Sequence, residues 1–149
     1  MKLPIFLGAL LLSASPAVAD DYLYLRCKAS VDLVNTNSAT SKITEDRTID
    51  DIAILKVDFK MKTILDSRSE GPLNVSIQDK MLSIPQRIDN KELKLDDIGK
   101  IKLTPPYTLS GRGTAIYKSK NQTSTYSYEG PCKEIDASVF EEALKESEI

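Results

Sequence analysis

The chain contains no histidine and no tryptophan, and it has only two cysteines among its 149 residues. The lack of histidine excludes Ser-His-Asp and Cys-His catalysis, because both need an imidazole as the general base. It also removes the commonest protein ligand of zinc and copper. If the two cysteines form a disulfide, no thiolate nucleophile remains either. We therefore expect neither a metal, nor another cofactor, nor a catalytic site.

An excess of one sign of charge is also lacking. The chain has 20 basic and 22 acidic side chains, a net charge of −2, so it has no electrostatic footprint for nucleic acid or an anionic membrane. Beyond its first residues it has no apolar run near the roughly 20 residues that a membrane-spanning helix needs. We expect a protein or a small-molecule ligand as the partner, with no nucleic acid and no stable membrane insertion.

The start of the chain has the pattern of a signal peptide. Lys2 precedes an apolar stretch over residues 3–12, and small residues then lead to Ala17-Val18-Ala19, a small-x-small cleavage site. An uncleaved membrane anchor is the alternative, but about ten apolar residues are too few to span a bilayer. We predict a signal peptide over residues 1–19, cleavage after Ala19, and export to the periplasm or the medium. Residues 20–149 would then form a single domain, with the signal helix outside its fold.

Strict alternation of apolar and polar residues marks the first strand, which begins at Tyr22. One face carries Leu23, Leu25, Cys27, Ala29, Val31 and Leu33; the other begins with Tyr22, Tyr24, Arg26 and Lys28. This period of two is typical of a strand with one face on a core. In an oxidising compartment two cysteines usually pair. We therefore predict that inward-facing Cys27 forms a disulfide with Cys132, which follows the last predicted strand.

That disulfide, together with antiparallel pairing of the first and last strands, predicts a register. Val31 would lie opposite Tyr128, and Leu33 opposite Tyr126. Both tyrosines would then face the core, with their hydroxyl groups near its rim.

Short alternating segments separated by turn residues follow. We predict a tight reversal at Asp79-Lys80, a turn at Asp97–Gly99, a register slip near Ile54-Leu55 and a bulge or bend at Gly111–Gly113. The polar stretch 35–51 is predicted as a long connection, either a loop or one holding a short extra strand near residues 41–43.

The end of the chain changes to a helical period. Ser138 and Glu141 have the spacing of a capping box, and Phe140, Ala143 and Leu144 share one stripe. We predict a helix over about residues 138–147, with Phe140 packed on the β structure. The fold class is therefore all-β and mainly antiparallel. It is a small barrel or sandwich of about seven to nine strands over residues 22–134, with one short C-terminal helix.

The outward row of the first strand is the candidate binding surface. Tyr22, Tyr24, Arg26 and Lys28 combine rigid aromatic area with polar and charged groups, which suits contact with a sugar or a protein. The alternative is a second buried face that the tail helix covers.

Three hypotheses about the function remain open. The first is a non-enzymatic binding or inhibitor-type module. The exported β domain with Cys27 and Cys132 near its ends resembles bacterial periplasmic lysozyme inhibitors, although their reactive-loop motif is absent, so we assign no family. The second is a lipocalin-like carrier of a small apolar ligand, with Val57, Phe59 and Leu109 lining the interior. An open cavity of several hundred Å³ would favour that reading.

The third hypothesis is a hydrolase that uses paired carboxylates. The adjacent acids are Asp50-Asp51, Asp96-Asp97 and Glu141-Glu142. Because neighbours in a strand point to opposite faces, such pairs do not converge on one substrate. The acids between Thr44 and Asp51 also lack EF-hand spacing, so we predict no metal site.

Overall fold

The computed structural model describes residues 21–148. Their elements are β1 (Tyr22–Asn37), β2 (Ile43–Asp58), β3 (Thr63–Asp66), β4 (Leu73–Asn74), β5 (Ser76–Gln78), β6 (Met81–Asp89), β7 (Leu93–Lys102), β8 (Thr108–Tyr117), a 3-10 turn (Lys118–Lys120), β9 (Gln122–Glu134) and α1 (Ala137–Ser147). The predicted signal peptide at residues 1–19 lies outside the described residues. The prediction of a mainly antiparallel β fold with one C-terminal helix is confirmed.

All nine strands form one antiparallel sheet in the order β4-β3-β2-β1-β9-β8-β7-β6-β5. The strands at the two ends of this order, β4 and β5, are separated along the chain by Val75 alone. The sheet therefore curls until its ends meet, and β4 contacts β6. The result is a nearly closed barrel, which decides between the two predicted architectures.

The first and last strands pair as predicted. Cys27 lies opposite Cys132, Val31 opposite Tyr128 and Leu33 opposite Tyr126. The Cys27–Cys132 disulfide is formed, with an S–S distance of 2.00 Å, and both cysteines are buried. The disulfide therefore fastens the first strand of the sheet to the last one along the chain.

The predicted connection over residues 35–51 is wrong. β1 continues to Asn37 and β2 begins at Ile43, so this stretch is the outer part of a long hairpin with continuous pairing from Tyr22–Asp58 to Asn35–Glu45. Cross-strand polar contacts hold its outer end. Thr48 donates a hydrogen bond to Asp32, and Ser124 of β9 donates one to Asn35. Both faces of this part of the hairpin are mostly polar, so its sequence lacks the alternation of apolar and polar residues from which a strand is predicted.

Three predicted irregularities do not form. β2 has no register slip at Ile54-Leu55, because Ala53 rather than Ile54 continues the buried set. The predicted turn at Asp97–Gly99 lies inside β7, and the predicted bend at Gly111–Gly113 lies inside β8. Both strands pair through these residues without interruption. In contrast, Asp79 and Lys80 form the predicted two-residue reversal, with φ values of 52° and 61° that suit a type I′ turn.

Helix α1 lies on the outside of the barrel, against β1 and β2. Phe140 is 1% exposed and packs on Tyr24 with ring centroids 5.7 Å apart, which confirms the predicted docking. The predicted capping box is wrong. The helix begins one residue earlier, and its N-cap is Asp136, without a side-chain cap. At the other end, Ser147 donates a hydrogen bond to the carbonyl of Ser67, so the helix also holds the loop after β3.

The barrel interior has two different halves. Around the disulfide it is packed with buried side chains; the largest are Leu25, Val57, Leu82 and Ile101, each 0% exposed. Next to this packed half, the inward positions in the middle of β7, β8 and β9 carry glycine, aspartate and tyrosine instead of large aliphatic residues. Within residues 21–148, no helix is long and apolar enough to cross a membrane.

Candidate functional site

The second half of the barrel contains a partly enclosed cavity of about 350 Å³. Its apolar lining includes Ala29, Val31, Ala53, Leu55, Ile64, Leu73, Ile84 and Leu109. Its polar lining consists of Asp51, Asp66, Arg68, Ser69, Gln86, Asp97, Tyr126 and Tyr128. The side chains come from β1 to β9 without β5 and from the loop after β3, so the curled sheet itself shapes the cavity.

An opening into this cavity lies between β2 and β6. β3 pairs only with the last part of β2, from Leu55 to Asp58, and β5 pairs only with the first part of β6, from Met81 to Ser83. In the described part of the chain, the remaining edges of β2 and β6 have no strand partner. Asp51 and Ala53 on one edge and Ile84 and Gln86 on the other line the cavity. The sheet leaves the cavity open in the gap between these edges, and the loop after β3 borders this gap, because Ser67 donates a backbone hydrogen bond to Ile54 and Arg68 contacts Asp51.

Two tyrosine rings form one wall of the cavity. Tyr126 and Tyr128 lie side by side on β9, with centroids 6.3 Å apart and ring planes 18° from parallel. Each ring lies flat across a glycine of β8, because a Cβ on Gly111 would collide with the Tyr128 ring and one on Gly113 with Tyr126. A Cβ on Gly99 would stand 2.8 Å from the Tyr128 hydroxyl oxygen. The glycines therefore provide the space that the rings occupy, and the opposite ring faces line the cavity.

Both tyrosines reach the same carboxylate on β7. The Tyr126 hydroxyl donates a short hydrogen bond to Oδ2 of Asp97, and the Tyr128 hydroxyl lies 3.3 Å from Oδ1. The register explains this meeting, because Tyr126, Gly113 and Asp97 lie opposite one another on three successive strands. The result is a two-ring aromatic wall with a carboxylate at its edge.

Burial is the main cause of a raised pKa at both tyrosines. The hydrogen bond and the negative charge of Asp97 raise the pKa of Tyr126 and Tyr128 further, because both oppose loss of the phenolic proton. A pKa raised by folding stabilises the folded state below about pH 10, the usual pKa of tyrosine. That contribution is lost as the pH rises through the raised values.

We predict that the six tyrosines titrate in more than one class. In a spectrophotometric titration of the phenolate, the class that contains Tyr126 and Tyr128 should ionise last, and unfolding should become easier as the pH rises above about 10. The Tyr126→Phe variant should lose one proton from that late class. Ionisation of all six tyrosines in one step near pH 10, with the fold intact, would contradict this assignment.

Arg68 connects the two acids at the mouth of the cavity. Its guanidinium contacts Asp51 at 2.9 Å and Asp66 at 3.0 Å. The hydrogen bond with Asp66, followed by that with Asp51, raises the pKa of the Arg68 guanidinium. All three side chains are partly open to water, so these ion pairs add little to the stability of the fold. Their effect is to hold the three side chains together at the mouth of the cavity.

The predicted surface row lies on the outside of the barrel, away from the cavity. Tyr22 is 46% exposed, and Lys56 places its Nζ 4.6 Å from the centre of the Tyr22 ring. Arg26 and Lys28 also point to solvent, whereas Tyr24 is half-buried beneath Phe140 of the helix. The row therefore remains a surface, but the tail helix covers one of its four members.

Of the three residues predicted to line an interior cavity, only one does so. Leu109 lines the cavity, whereas Val57 is fully buried in the packed half and Phe59 packs against that core without lining the cavity.

Of the adjacent acid pairs, Asp51 and Asp97 face the cavity while Asp50 and Asp96 belong to the opposite face. Among residues 21–148, no group of three or more acidic or cysteine side chains is placed to hold a metal ion.

Sequence reasoning missed the central features of this site. It treated Gly111 and Gly113 as a bend and did not link Asp97 to the tyrosines. A usable signal was present, since Gly111 and Gly113 have the same two-residue spacing as Tyr126 and Tyr128 on the next strand. Glycine opposite an aromatic residue on a neighbouring strand is a known way to seat a large ring on a sheet.

Two further depressions lie on the outer face of the sheet, on either side of Arg112. They have volumes of about 620 and 780 Å³ and are more open to solvent than the interior cavity. Most of their lining residues are polar or charged, among them Arg87, Lys100 and Arg112, and each depression has somewhat less apolar lining than the interior cavity.

Compared with known proteins, the chain matches no family model, no curated protein and no solved structure.

Proposed function

We propose that this protein is an exported, non-enzymatic module that binds a small molecule inside its barrel. The observation that carries the proposal is the cavity of about 350 Å³. Small-molecule sites are typically concave, mostly apolar, between roughly 300 and 1,000 Å³, and have a few convergent polar groups. The interior has each of these properties. The Cys27–Cys132 disulfide is consistent with export, because such bonds persist in oxidising compartments.

The packed half of the barrel supports this use of the other half. Leu25, Val57 and Ile101 are fully buried around the disulfide and close one end of the interior. The cavity walls are strands in a continuous sheet, so a ligand would enter a site whose shape already exists. A preformed site loses less conformational entropy on binding than one assembled around its ligand.

The neutral fluorophore N-phenyl-1-naphthylamine provides the test, because its emission increases in an apolar site. We expect saturable binding of one molecule per chain. Ala29→Leu adds volume on the cavity side of β1 and should weaken binding about tenfold or more. Ser30→Leu adds a leucine to the outward side of the same strand and should leave the affinity unchanged.

Thermal unfolding of each variant serves as the control for folding. If Ala29→Leu does not fold, Ala53→Leu introduces the same block from β2, since Ala53 is also a buried lining residue. No saturable binding by the wild type, or equal binding by folded cavity-filled variants, would overturn the proposal.

Protein binding through the outer row is a second candidate. The exposed Tyr22 ring, with Lys56 above it and Arg26 and Lys28 nearby on β1, offers a rigid aromatic anchor of the kind that protein interfaces use. A partner that the oxidised wild type retains and the Tyr22→Ser variant releases would support this candidate. Equal retention by both proteins would count against it.

A further inference from the structure

We propose that the cavity recognises an organic cation, an ammonium head carried on an apolar body. This inference rests on the proposed function and specifies the ligand class of the same site. It follows from the charges and the aromatic faces that line the cavity.

The charges inside the cavity do not balance. Three carboxylates line it, from Asp51, Asp66 and Asp97, against the single guanidinium of Arg68. Arg68 already contacts both Asp51 and Asp66. Arg47, at an inward position of β2, is paired with Glu45 at 2.8 Å. Within residues 21–148, no basic side chain forms an ion pair with Asp97.

The two tyrosines orient Asp97 without neutralising it. Each phenol donates one hydrogen bond to a different oxygen of the carboxylate, so the group is fixed while its charge remains. A carboxylate can accept about four hydrogen bonds, two at each oxygen. Asp97 therefore keeps acceptor capacity for a primary ammonium group, and for a quaternary one, which has no N–H, it presents a negative charge with which no basic side chain of the described residues pairs. In a partly enclosed, mostly apolar cavity, such a charge interacts more strongly than it does in water.

The aromatic wall favours the same ligand class. The rings of Tyr126 and Tyr128 and the Asp97 carboxylate line the same cavity, and the side of each ring that faces β8 lies over a glycine. The face of a tyrosine ring is electronegative and attracts a cation within about 6 Å of its centre. Aromatic faces beside a carboxylate are a common arrangement for recognising alkylammonium groups. Aliphatic side chains elsewhere in the lining, among them Leu55 and Ile64, would contact the apolar body.

Three ligands with the same ten-carbon chain distinguish this inference from the general proposal. They are decyltrimethylammonium, decan-1-ol and decanoate, measured by displacement of N-phenyl-1-naphthylamine or by calorimetry, the two ions below their micellar concentrations and the alcohol below its solubility limit. We expect the ammonium compound to bind about tenfold or more tightly than the alcohol, and the carboxylate to bind most weakly. This order in the wild type needs no variant that might fail to fold.

A matched pair of variants locates the selectivity. Asp97→Asn keeps an acceptor for the tyrosines and removes the charge, so the preference for the ammonium compound over the alcohol should disappear. Asp96→Asn removes the neighbouring charge on the outward face of β7, where Asp96 is paired with Arg87, and should preserve the preference.

The outcomes separate the two proposals. Equal affinity for the ammonium compound and the alcohol, or a preference for decanoate, overturns the cation inference and leaves the interior site standing. Selectivity retained by folded Asp97→Asn also overturns it. Failure of all three ligands and of the fluorophore to bind overturns both proposals.

Discussion

Replacing Cys27 and Cys132 with alanine is expected to lower the free energy of unfolding by about 4 kcal/mol. The disulfide joins residues 105 positions apart, and closing a loop of that size removes much of the conformational entropy of the unfolded chain. A loss of this size corresponds to a fall in Tm of roughly 15 °C for a domain of this length. Urea unfolding of the oxidised wild type and the double variant measures the difference.

Reduction of the wild type provides the matched control for this first prediction. With dithiothreitol present, the wild type should approach the stability of the double alanine variant, since both then lack the covalent link. A thiol assay on the unreduced, unfolded protein should find no free thiol. Two free thiols per chain, or a double variant as stable as the oxidised wild type, would contradict the role given to the disulfide.

Replacing Gly111 with alanine is expected to cost about 3 kcal/mol, although it adds only a methyl group. That methyl would occupy space now held by the Tyr128 ring. The ring cannot move towards the sheet, so it must move into the cavity and give up its contact with Asp97. We therefore expect lower stability and weaker fluorophore binding in the same variant, measured by urea unfolding and by titration.

Gly71 offers a matched control for the glycine prediction. A Cβ at Gly71 would meet no atom within 4 Å, so Gly71→Ala should change the stability by less than about 0.5 kcal/mol. Combining Gly111→Ala with Tyr128→Leu should recover part of the loss, because the smaller side chain leaves room for the methyl. Strictly additive effects of the two substitutions would show that the ring and the glycine do not interact.

The sequence was sufficient to predict the parts of the fold that depend on period-two alternation. Cys27, Val31 and Leu33 share one face of β1, and one disulfide then fixes their partners on β9, as the structure confirms. The helix that carries Phe140 was predictable from its own period, because apolar residues at i, i+3 and i+4 indicate one face of a helix. The turn at Asp79-Lys80 was also predictable, because it depends only on neighbouring residues.

The remaining features depend on contacts between distant parts of the chain. Ile52 and Ile54 suggested a register slip, but they belong to the outer face of β2, on the side where helix α1 contacts this strand. Gly99, Gly111 and Gly113 look like chain breakers until the rings of Tyr126 and Tyr128 are placed over them. Sequence alone shows the glycines but not the aromatic residues that require them, and the candidate site is built from those pairings.

The position of a bound ligand tests the central claim most directly. Methyl-labelled protein saturated with N-phenyl-1-naphthylamine should show intermolecular nuclear Overhauser effects to Ala29, Val31 and Ala53, whose side chains line the cavity. The exposed methyl groups of Ile43 and Ile98 on the outside should show none. Contacts confined to the outer methyl groups, with the cavity methyl groups unaffected, would contradict a binding site inside the barrel.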